Sequence, residues 1–158
     1  MPSPVFGFYP RRLAADRRGN VMLEFGLAFP VLVLLLVGLL DLGRFGLQKS
    51  ALLQGAREGA QYGILSPNDT ANINATAQNA SGLAGVTATS NVFCECVSGT
   101  TVSCVTTCAS GQTLKTYLTV TTTKGFTSVL SVATLNLGTF GSWTPPTSSS
   151  ASLTMIVP

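Results

Sequence analysis

Residues 19–41 read GNVMLEFGLAFPVLVLLLVGLLD, and this stretch decides the fold of the chain. From Val21 to Leu40 its residues are apolar or small except for Glu24. A helix over this run, rising about 1.5 Å per residue, approaches the thickness of a bilayer core, about 30 Å. We therefore predict a transmembrane helix over about residues 21–40. The alternatives are a buried core helix and a cleaved secretory signal, although such signals carry only about 7–15 apolar residues.

The charge of the chain is concentrated before this stretch. The formal net charge is +3 at pH 7, and basic and acidic residues balance from Asn20 onward. The excess lies in a basic leader, residues 1–19, whose charged residues are Arg11, Arg12, Asp16, Arg17 and Arg18. Arginines beside a span stay cytoplasmic, so we predict that the chain after the span is exported. A neutral body lacks the basic face that nucleic acids require, and we expect no nucleic-acid partner.

Three segments follow the leader. Residues 20–65 contain no turn signal before Ser66-Pro67, which predicts one long helix. Residues 66–85 predict a polar connector with a short helix that Asn68 or Asp69 caps. Residues 86–158 alternate with period two, which predicts strands near Val92–Val97, Val102–Thr107, Thr113–Thr123 and Ser150–Val157, with turns at Ser98-Gly99, Ser110-Gly111 and Lys124-Gly125. The predicted fold class is α+β, a long N-terminal transmembrane helix followed by a small antiparallel β-sheet domain.

The predicted long helix carries a stripe of small residues beyond the span. Gly55, Gly59 and Gly63 recur every four residues, and Ala51 continues the line towards the span. A glycine inside a helix costs about 1 kcal/mol relative to alanine, so a close neighbour must compensate. Small residues at this spacing let another backbone approach closely. The neighbour is either another subunit or the protein's own sheet.

Four cysteines lie in the part of the chain that is predicted to be exported, where disulfides form. They are Cys94, Cys96, Cys104 and Cys108. Four cysteines allow three pairings. We favour the nested pairs of a hairpin, Cys96–Cys104 and Cys94–Cys108. A zinc site is the alternative, but this spacing matches no common zinc signature and the chain has no histidine.

The chain lacks the residues of common catalytic sites. It has no histidine, which removes the commonest general base and metal ligand. Its acidic residues are too scattered along the sequence to suggest a carboxylate pair, and it has no phosphate-binding glycine loop. We therefore expect no enzymatic activity, no cofactor and no metal.

Glu24 is the unusual residue of the apolar run, because a carboxylate inside a bilayer costs about 2.5–3.5 kcal/mol at the centre and less near the surface. It is the fifth residue after Gly19, which follows Arg17 and Arg18. If the chain were cut after Gly19, the new amino terminus at Asn20 would carry a positive charge about one helical turn from Glu24. The amine of a neighbouring subunit could then neutralise Glu24 and lower the desolvation cost of both groups. The alternative is that Glu24 is solvated at headgroup depth.

The run RRGNVMLEFGLAFPVLVLLLVGLLDLGRF, residues 17–45, resembles the class III signal of type IV prepilins. With Pro30, the pattern Asp41-x-Gly-Arg44 and the stretch ALLQGAREGAQYG at 51–63, it is similar to the TadE-like pilus-assembly family of the tight-adherence (Flp) system. The resemblance covers about residues 17–65, with a weaker similarity in the terminal SASLTMIVP. It implies that a prepilin peptidase cleaves between Gly19 and Asn20 and that Glu24 packs subunits together. Major pilins usually carry an apolar or aromatic residue in place of Asn20.

These observations lead to two main hypotheses. The first is a non-catalytic minor pseudopilin or assembly factor of a tight-adherence pilus, processed after Gly19. It would reside in the bacterial inner membrane as a single-pass protein, with its N-terminus cytoplasmic and its C-terminal domain periplasmic or extracellular. Its partners would be the prepilin peptidase, other pilin or pseudopilin or Tad secretion subunits, and membrane lipid. The second is an unprocessed, signal-anchored exported protein with a periplasmic binding domain.

Overall fold

Helix α1 is the longest element of the computed structural model and runs from Arg17 to Leu65, a length of 49 residues. The structure describes residues 17–97, 99–109, 111–129, 135–136 and 138–158. The predictions for the leader before Arg17, and those for Ser98 and Ser110, lie outside the described residues. The helix starts slightly earlier than the sequence predicts, and it continues without a break through Pro30.

The chain divides between Leu39 and Leu40 into two compact units. The first unit contains the apolar part of α1. The second, which we call the domain, is Leu40–Pro158 and contains the rest of α1 and the other described elements. The predicted α+β class, with a long apolar N-terminal helix ahead of a small antiparallel sheet, is confirmed.

A short helix, α2, spans Thr70–Ala80 and connects α1 to the sheet. Asp69 caps its N-terminus, because its carboxylate accepts hydrogen bonds from the backbone N–H of Asn72 at 3.2 Å and from the side-chain amide of Asn72 at 2.7 Å. These two hydrogen bonds, with a third from the Tyr62 hydroxyl, lower the pKa of Asp69 below its ordinary value. Ile73 and Ala77 point into the core, which places the apolar side of this polar helix against the domain.

The main sheet has four antiparallel strands in the order β2-β1-β3-β6. The strands are β1 (Thr87–Val97), β2 (Thr100–Val102), β3 (Lys115–Gly125) and β6 (Ser148–Val157). A second, two-stranded sheet joins β4 (Leu135–Asn136) to β5 (Ser142–Trp143), with a 3-10 turn at Gly138–Phe140 between them. The long strands β3 and β6 pair continuously from Thr116↔Val157 to Gly125↔Ser148.

One face of the main sheet packs against the two helices because its strands alternate with period two. The larger core cluster is formed by Ala56, Ala60, Ile73, Ala77, Ala88, Leu118, Val120 and Val157. A smaller cluster joins Leu52, Val86 and Ala151. Alanine is unusually frequent among these core residues, so the helices approach the sheet and each other closely. The opposite face of the sheet carries the hydroxyl-rich half of the alternation.

Two features of the predicted β region are wrong. The strand predicted at Val102–Thr107 does not form, because β2 ends at Val102 and the chain then turns. The backbone N–H of Thr106 donates to the carbonyl oxygen of Ser103 at 2.9 Å in that turn. The turn predicted at Lys124-Gly125 also does not form, because both residues still pair with β6.

Candidate functional site

The apolar part of α1 presents its side chains to the surroundings. Every residue from Val21 to Leu36 is exposed, and the most apolar window of this helix has a mean hydropathy of 2.5 with no part of it buried. Within the described residues, this is one helix that is long and apolar enough to cross a membrane. Phe25 and Phe29 contact each other with ring centroids 5.8 Å apart and form the most aromatic part of this surface.

Glu24 lies within this exposed surface. It shares a helix face with Val21, Phe25 and Ala28, and these four residues line a shallow groove. The neighbours of the carboxylate on this face are therefore apolar. Gly19 and Asn20 lie in the first turn of α1, which begins at Arg17. The proposed cleavage position and Glu24 thus belong to the same helix.

The glycine stripe is buried inside the domain. A Cβ atom at Gly55 would collide with the backbone carbonyl oxygen of Ala77 in α2. A Cβ at Gly59 would lie 2.7 Å from the Cβ of Ala77, and one at Gly63 would collide with the side chain of Leu118. Of the two neighbours that the sequence allowed, the structure therefore places the protein's own α2 and sheet against the stripe.

The buried side of α1 extends from this stripe back to the start of the domain. Its residues follow one another at spacings of three or four, which keeps them on one helix face. Going towards the stripe they are Asp41, Phe45, Gln48 and Leu52. Phe45 packs edge-on against Phe126, with centroids 5.3 Å apart. The side-chain amide of Gln48 donates to Ser149 Oγ at 2.7 Å and to the carbonyl oxygen of Gly125 at 3.2 Å.

Asp41 is the polar residue with which this packed face begins. It is only 8% exposed, and its carboxylate accepts hydrogen bonds from the Ser128 hydroxyl at 2.5 Å and from the backbone N–H of Val129 at 2.9 Å. Arg44 Nη1 lies 3.8 Å from the same carboxylate. Asp41 therefore holds the segment after β3 against the first turn of the domain's helix. Sequence reasoning missed this role. The seven-residue spacing from Asp41 to Gln48 and on to Gly55 indicated a shared helix face, but it did not indicate the partners of the carboxylate.

Replacing Asp41 by alanine should lower the free energy of unfolding of the domain by about 2 kcal/mol, because it removes a charged acceptor from the half-buried Ser128 hydroxyl and from the backbone N–H of Val129. The measurement is denaturant unfolding of the full chain in lipid nanodiscs. Arg44→Ala is the matched control one turn away, and we expect it to lower stability by about 0.5 kcal/mol or less, because the Arg44 side chain is 57% exposed. Equal losses in the two variants would contradict the assigned role.

All four cysteines form disulfides, but the predicted nested pairing is wrong. The bonds are Cys94–Cys104 and Cys96–Cys108. Cys94 lies opposite Val102 in the ladder, so Cys104 lies just past that position on a chain that has left the strand. The turn after Ser103 then returns the chain to Cys96. Nested bonds would need a wider hairpin with Cys96 opposite Cys104, whereas β2 begins at Thr100 and the ladder places Cys94 opposite Val102.

In the part of the chain that the structure describes, the long apolar helix, the small antiparallel sheet and the disulfide-linked hairpin define an α+β protein with one candidate membrane span. Residues 19–61 match the model of a protein family described as TadE-like protein. The match covers the apolar run and most of the glycine stripe, and it confirms the resemblance to the TadE-like family over these residues. The terminal strand, including SASLTMIVP, lies outside the matched stretch. A search of the curated proteins and a search of the solved structures found no match.

Proposed function

We propose that the chain is a non-catalytic minor pseudopilin or assembly factor of a tight-adherence (Flp) type IV pilus system. The observation that carries the proposal is the single carboxylate of Glu24 on the exposed apolar part of α1, five residues after Gly19. The TadE-like match over residues 19–61 supports a protein associated with this system. In this proposal, the buried glycine stripe and the disulfides stabilise the fold of the domain.

The proposed location is the bacterial inner membrane, crossed once by about residues 21–40. Exposed leucine, valine and phenylalanine side chains on every side of a helix suit a lipid environment or the apolar helices of other subunits. The arginines before Asn20 favour a cytoplasmic N-terminus. The disulfides of the domain favour the oxidising side, periplasmic or extracellular.

In the assembly, Glu24 would pair with the amino terminus of a neighbouring subunit. Cleavage after Gly19 by a prepilin peptidase would create that amine at Asn20. A carboxylate surrounded by Val21, Phe25 and Ala28 is costly to bury alone, and a paired amine removes much of that cost. A subunit in the wrong axial register would leave both charges unpaired, so the pair would also select the register.

The proposed partners are the prepilin peptidase, other pilin, pseudopilin or Tad secretion subunits, and membrane lipid. Because α2 and the sheet already cover the glycine stripe, that face of α1 is not open to another subunit in this fold. Other subunits would therefore pack on α1 mainly through the exposed residues around Glu24. In this proposal, α1 has two parts: the buried part belongs to the domain, and the exposed apolar part contacts other subunits.

Processing is the experiment that tests this function. In cells with an active prepilin peptidase, intact-mass and N-terminal analysis of the purified protein should find Asn20 as the first residue. Cells that lack the peptidase should yield the unprocessed chain, and Gly19→Leu should prevent cleavage because a bulky side chain occupies the position before the cut. An unprocessed N-terminus in the peptidase-containing cells would overturn the pseudopilin proposal and favour the signal-anchored exported protein.

A further inference from the structure

The domain begins where the candidate membrane span ends. Before Val21 the chain has Asn20 and the arginines of the leader, which do not enter a bilayer core, so an apolar span of about 20 residues ends at Leu40 or later. Leu40 is the first residue of the domain. If the chain crosses the membrane here, as proposed above, Asp41 lies at the level of the lipid headgroups.

Asp41 holds a distant segment at the same level. Its carboxylate accepts hydrogen bonds from the Ser128 hydroxyl at 2.5 Å and from the backbone N–H of Val129 at 2.9 Å, across 87 and 88 residues of sequence. The headgroup region on each side of a bilayer is about 5–8 Å thick, which exceeds the length of these bonds. A tilt of α1 does not separate the partners, because Asp41 and the segment belong to the same compact unit. Residues 126–129 therefore lie beside the headgroups.

The exposed side chains at this level are apolar. Val129 is 59% exposed, and Leu42, the residue after Asp41, is 68% exposed. The segment is also held in place by Phe126, which is buried and packs against Phe45. A large apolar side chain that water surrounds is stabilised when it enters the boundary between headgroups and acyl chains. Val129 and Leu42 therefore suit contact with lipid.

The charges near Asp41 suit the same environment. Arg44 follows one turn later on α1, and its side chain is 57% exposed. Apart from the buried Asp41, the acidic residues of the domain are Glu58, Asp69 and Glu95. Glu58 shares α1 with Asp41 but lies about 25 Å further along the helix. An exposed guanidinium at headgroup level can form two parallel hydrogen bonds with a lipid phosphate, so the charge at this level also favours lipid.

We infer that residues 126–129, together with Leu42 and Arg44 of α1, form a lipid-binding surface that holds the domain against the membrane. The ligand is a phospholipid bilayer: the two apolar side chains, Val129 and Leu42, contact the acyl-chain boundary, and Arg44 contacts a phosphate. The bilayer is the partner within reach, because the span holds Leu40 in it. This inference rests on the membrane span of the proposed function, and it adds a second lipid contact far from the span in sequence.

The test places a tryptophan at position 129 and measures quenching of its fluorescence by lipid. Trp143 is the only tryptophan of the chain, so each variant also carries Trp143→Phe. The full, unprocessed chain is placed in nanodiscs of phosphatidylcholine and phosphatidylglycerol whose acyl chains carry bromine, a short-range quencher, either next to the headgroup or at the chain end. Val129→Trp should lose about half of its fluorescence or more with bromine next to the headgroup, the depth that tryptophan favours, and less with bromine at the chain end.

Val105→Trp is the matched control. Val105 is 92% exposed, and its neighbour Cys104 is bonded to Cys94, which pairs with Thr116 near the start of β3. The segment that Asp41 binds follows the other end of β3, about 30 Å away. Tryptophan at position 105 should keep its fluorescence in both kinds of nanodisc. Equal quenching at positions 105 and 129, or no quenching at position 129, would overturn the inference.

Leu32→Trp separates this inference from the proposed function. Leu32 is exposed in the middle of the apolar run, and a tryptophan there should be quenched most by bromine at the chain end. Quenching at position 32 without quenching at position 129 would overturn the lipid-binding surface and leave the membrane span in place. Absence of quenching at both positions would overturn the proposed span, and the inference with it. Neither result depends on cleavage after Gly19.

Photochemical cross-linking examines the same contact in the chain with its own side chains. The nanodiscs then contain a phospholipid with a photoactivated diazirine in its headgroup. After irradiation, mass spectrometry should find lipid adducts on residues 126–129 as well as on the first turn of α1 after Leu40. Adducts on α1 alone would overturn the inference.

Discussion

Gly55→Ala is expected to lower the free energy of unfolding of the domain by about 3 kcal/mol, the upper end of the range for overpacked cores. The added Cβ would collide with the backbone carbonyl oxygen of Ala77, and it would lie 3.0 Å from the Cβ of Ser81 and 3.2 Å from its backbone nitrogen. A backbone atom cannot rotate away as the end of a side chain can. Relief therefore requires α1 and α2 to move apart.

Gly46→Ala is the matched control on the same helix. No heavy atom lies within 4 Å of a Cβ at Gly46, so this substitution should raise stability by about 1 kcal/mol through helix propensity alone. The expected difference between the two variants is therefore about 4 kcal/mol. Denaturant unfolding of the full chain in nanodiscs, followed by near-ultraviolet circular dichroism, measures both. If Gly55→Ala were stabilising too, α2 would not pack on this stripe.

Glu24→Ala is expected to reduce co-purification of partner subunits by about a hundredfold while the protein still inserts into the membrane. Breaking a buried ion pair by removing one partner costs about 3 kcal/mol or more, since the remaining charge is left unpaired. Insertion should persist because alanine makes the run more apolar than glutamate does. The measurement is quantitative mass spectrometry of subunits captured with the tagged protein from cells that produce the tight-adherence system.

Glu58→Ala is the control for loss of a carboxylate from α1. Glu58 is exposed and lies in the domain, beyond the apolar run. We expect its substitution to leave co-purification unchanged. Undiminished capture of subunits by the Glu24 variant would refute the pairing of Glu24 with a neighbouring amine. Equal losses with both variants would assign the effect to the net charge of the helix.

The cysteine pairing shows where local sequence patterns stop being informative. The number of cysteines and their place in the part of the chain predicted to be exported predicted disulfides, and disulfides are present. The pairing depended on the register of the hairpin, in which β2 begins at Thr100 and Cys94 lies opposite Val102. Period-two alternation shows which side chains share a face of a strand, but it does not show which residues of two strands lie opposite each other.

Asp41 shows a second limit of prediction from local sequence. As a sequence position it closes the apolar run, and its neighbours give no indication of what its carboxylate binds. Its partners, Ser128 and Val129, lie 87 and 88 residues away. These two residues reach Asp41 because the end of β3 lies beside the start of the domain's helix. A buried acceptor of this kind is found from the long-range contacts of the backbone rather than from residue type.

The sequence by itself determined the long helix, its apolar run, the position of Glu24 and the α+β class, because periodicity and hydropathy are local properties that act before any tertiary contact. It also determined that the glycine stripe needs a close neighbour. Only the tertiary structure decided that the apolar run is exposed, that the neighbour of the stripe is α2 and the sheet, and that Asp41 binds the segment after β3. These depend on which distant segments pack together, and packing is set by the shape of the whole core rather than by any one stretch of the chain.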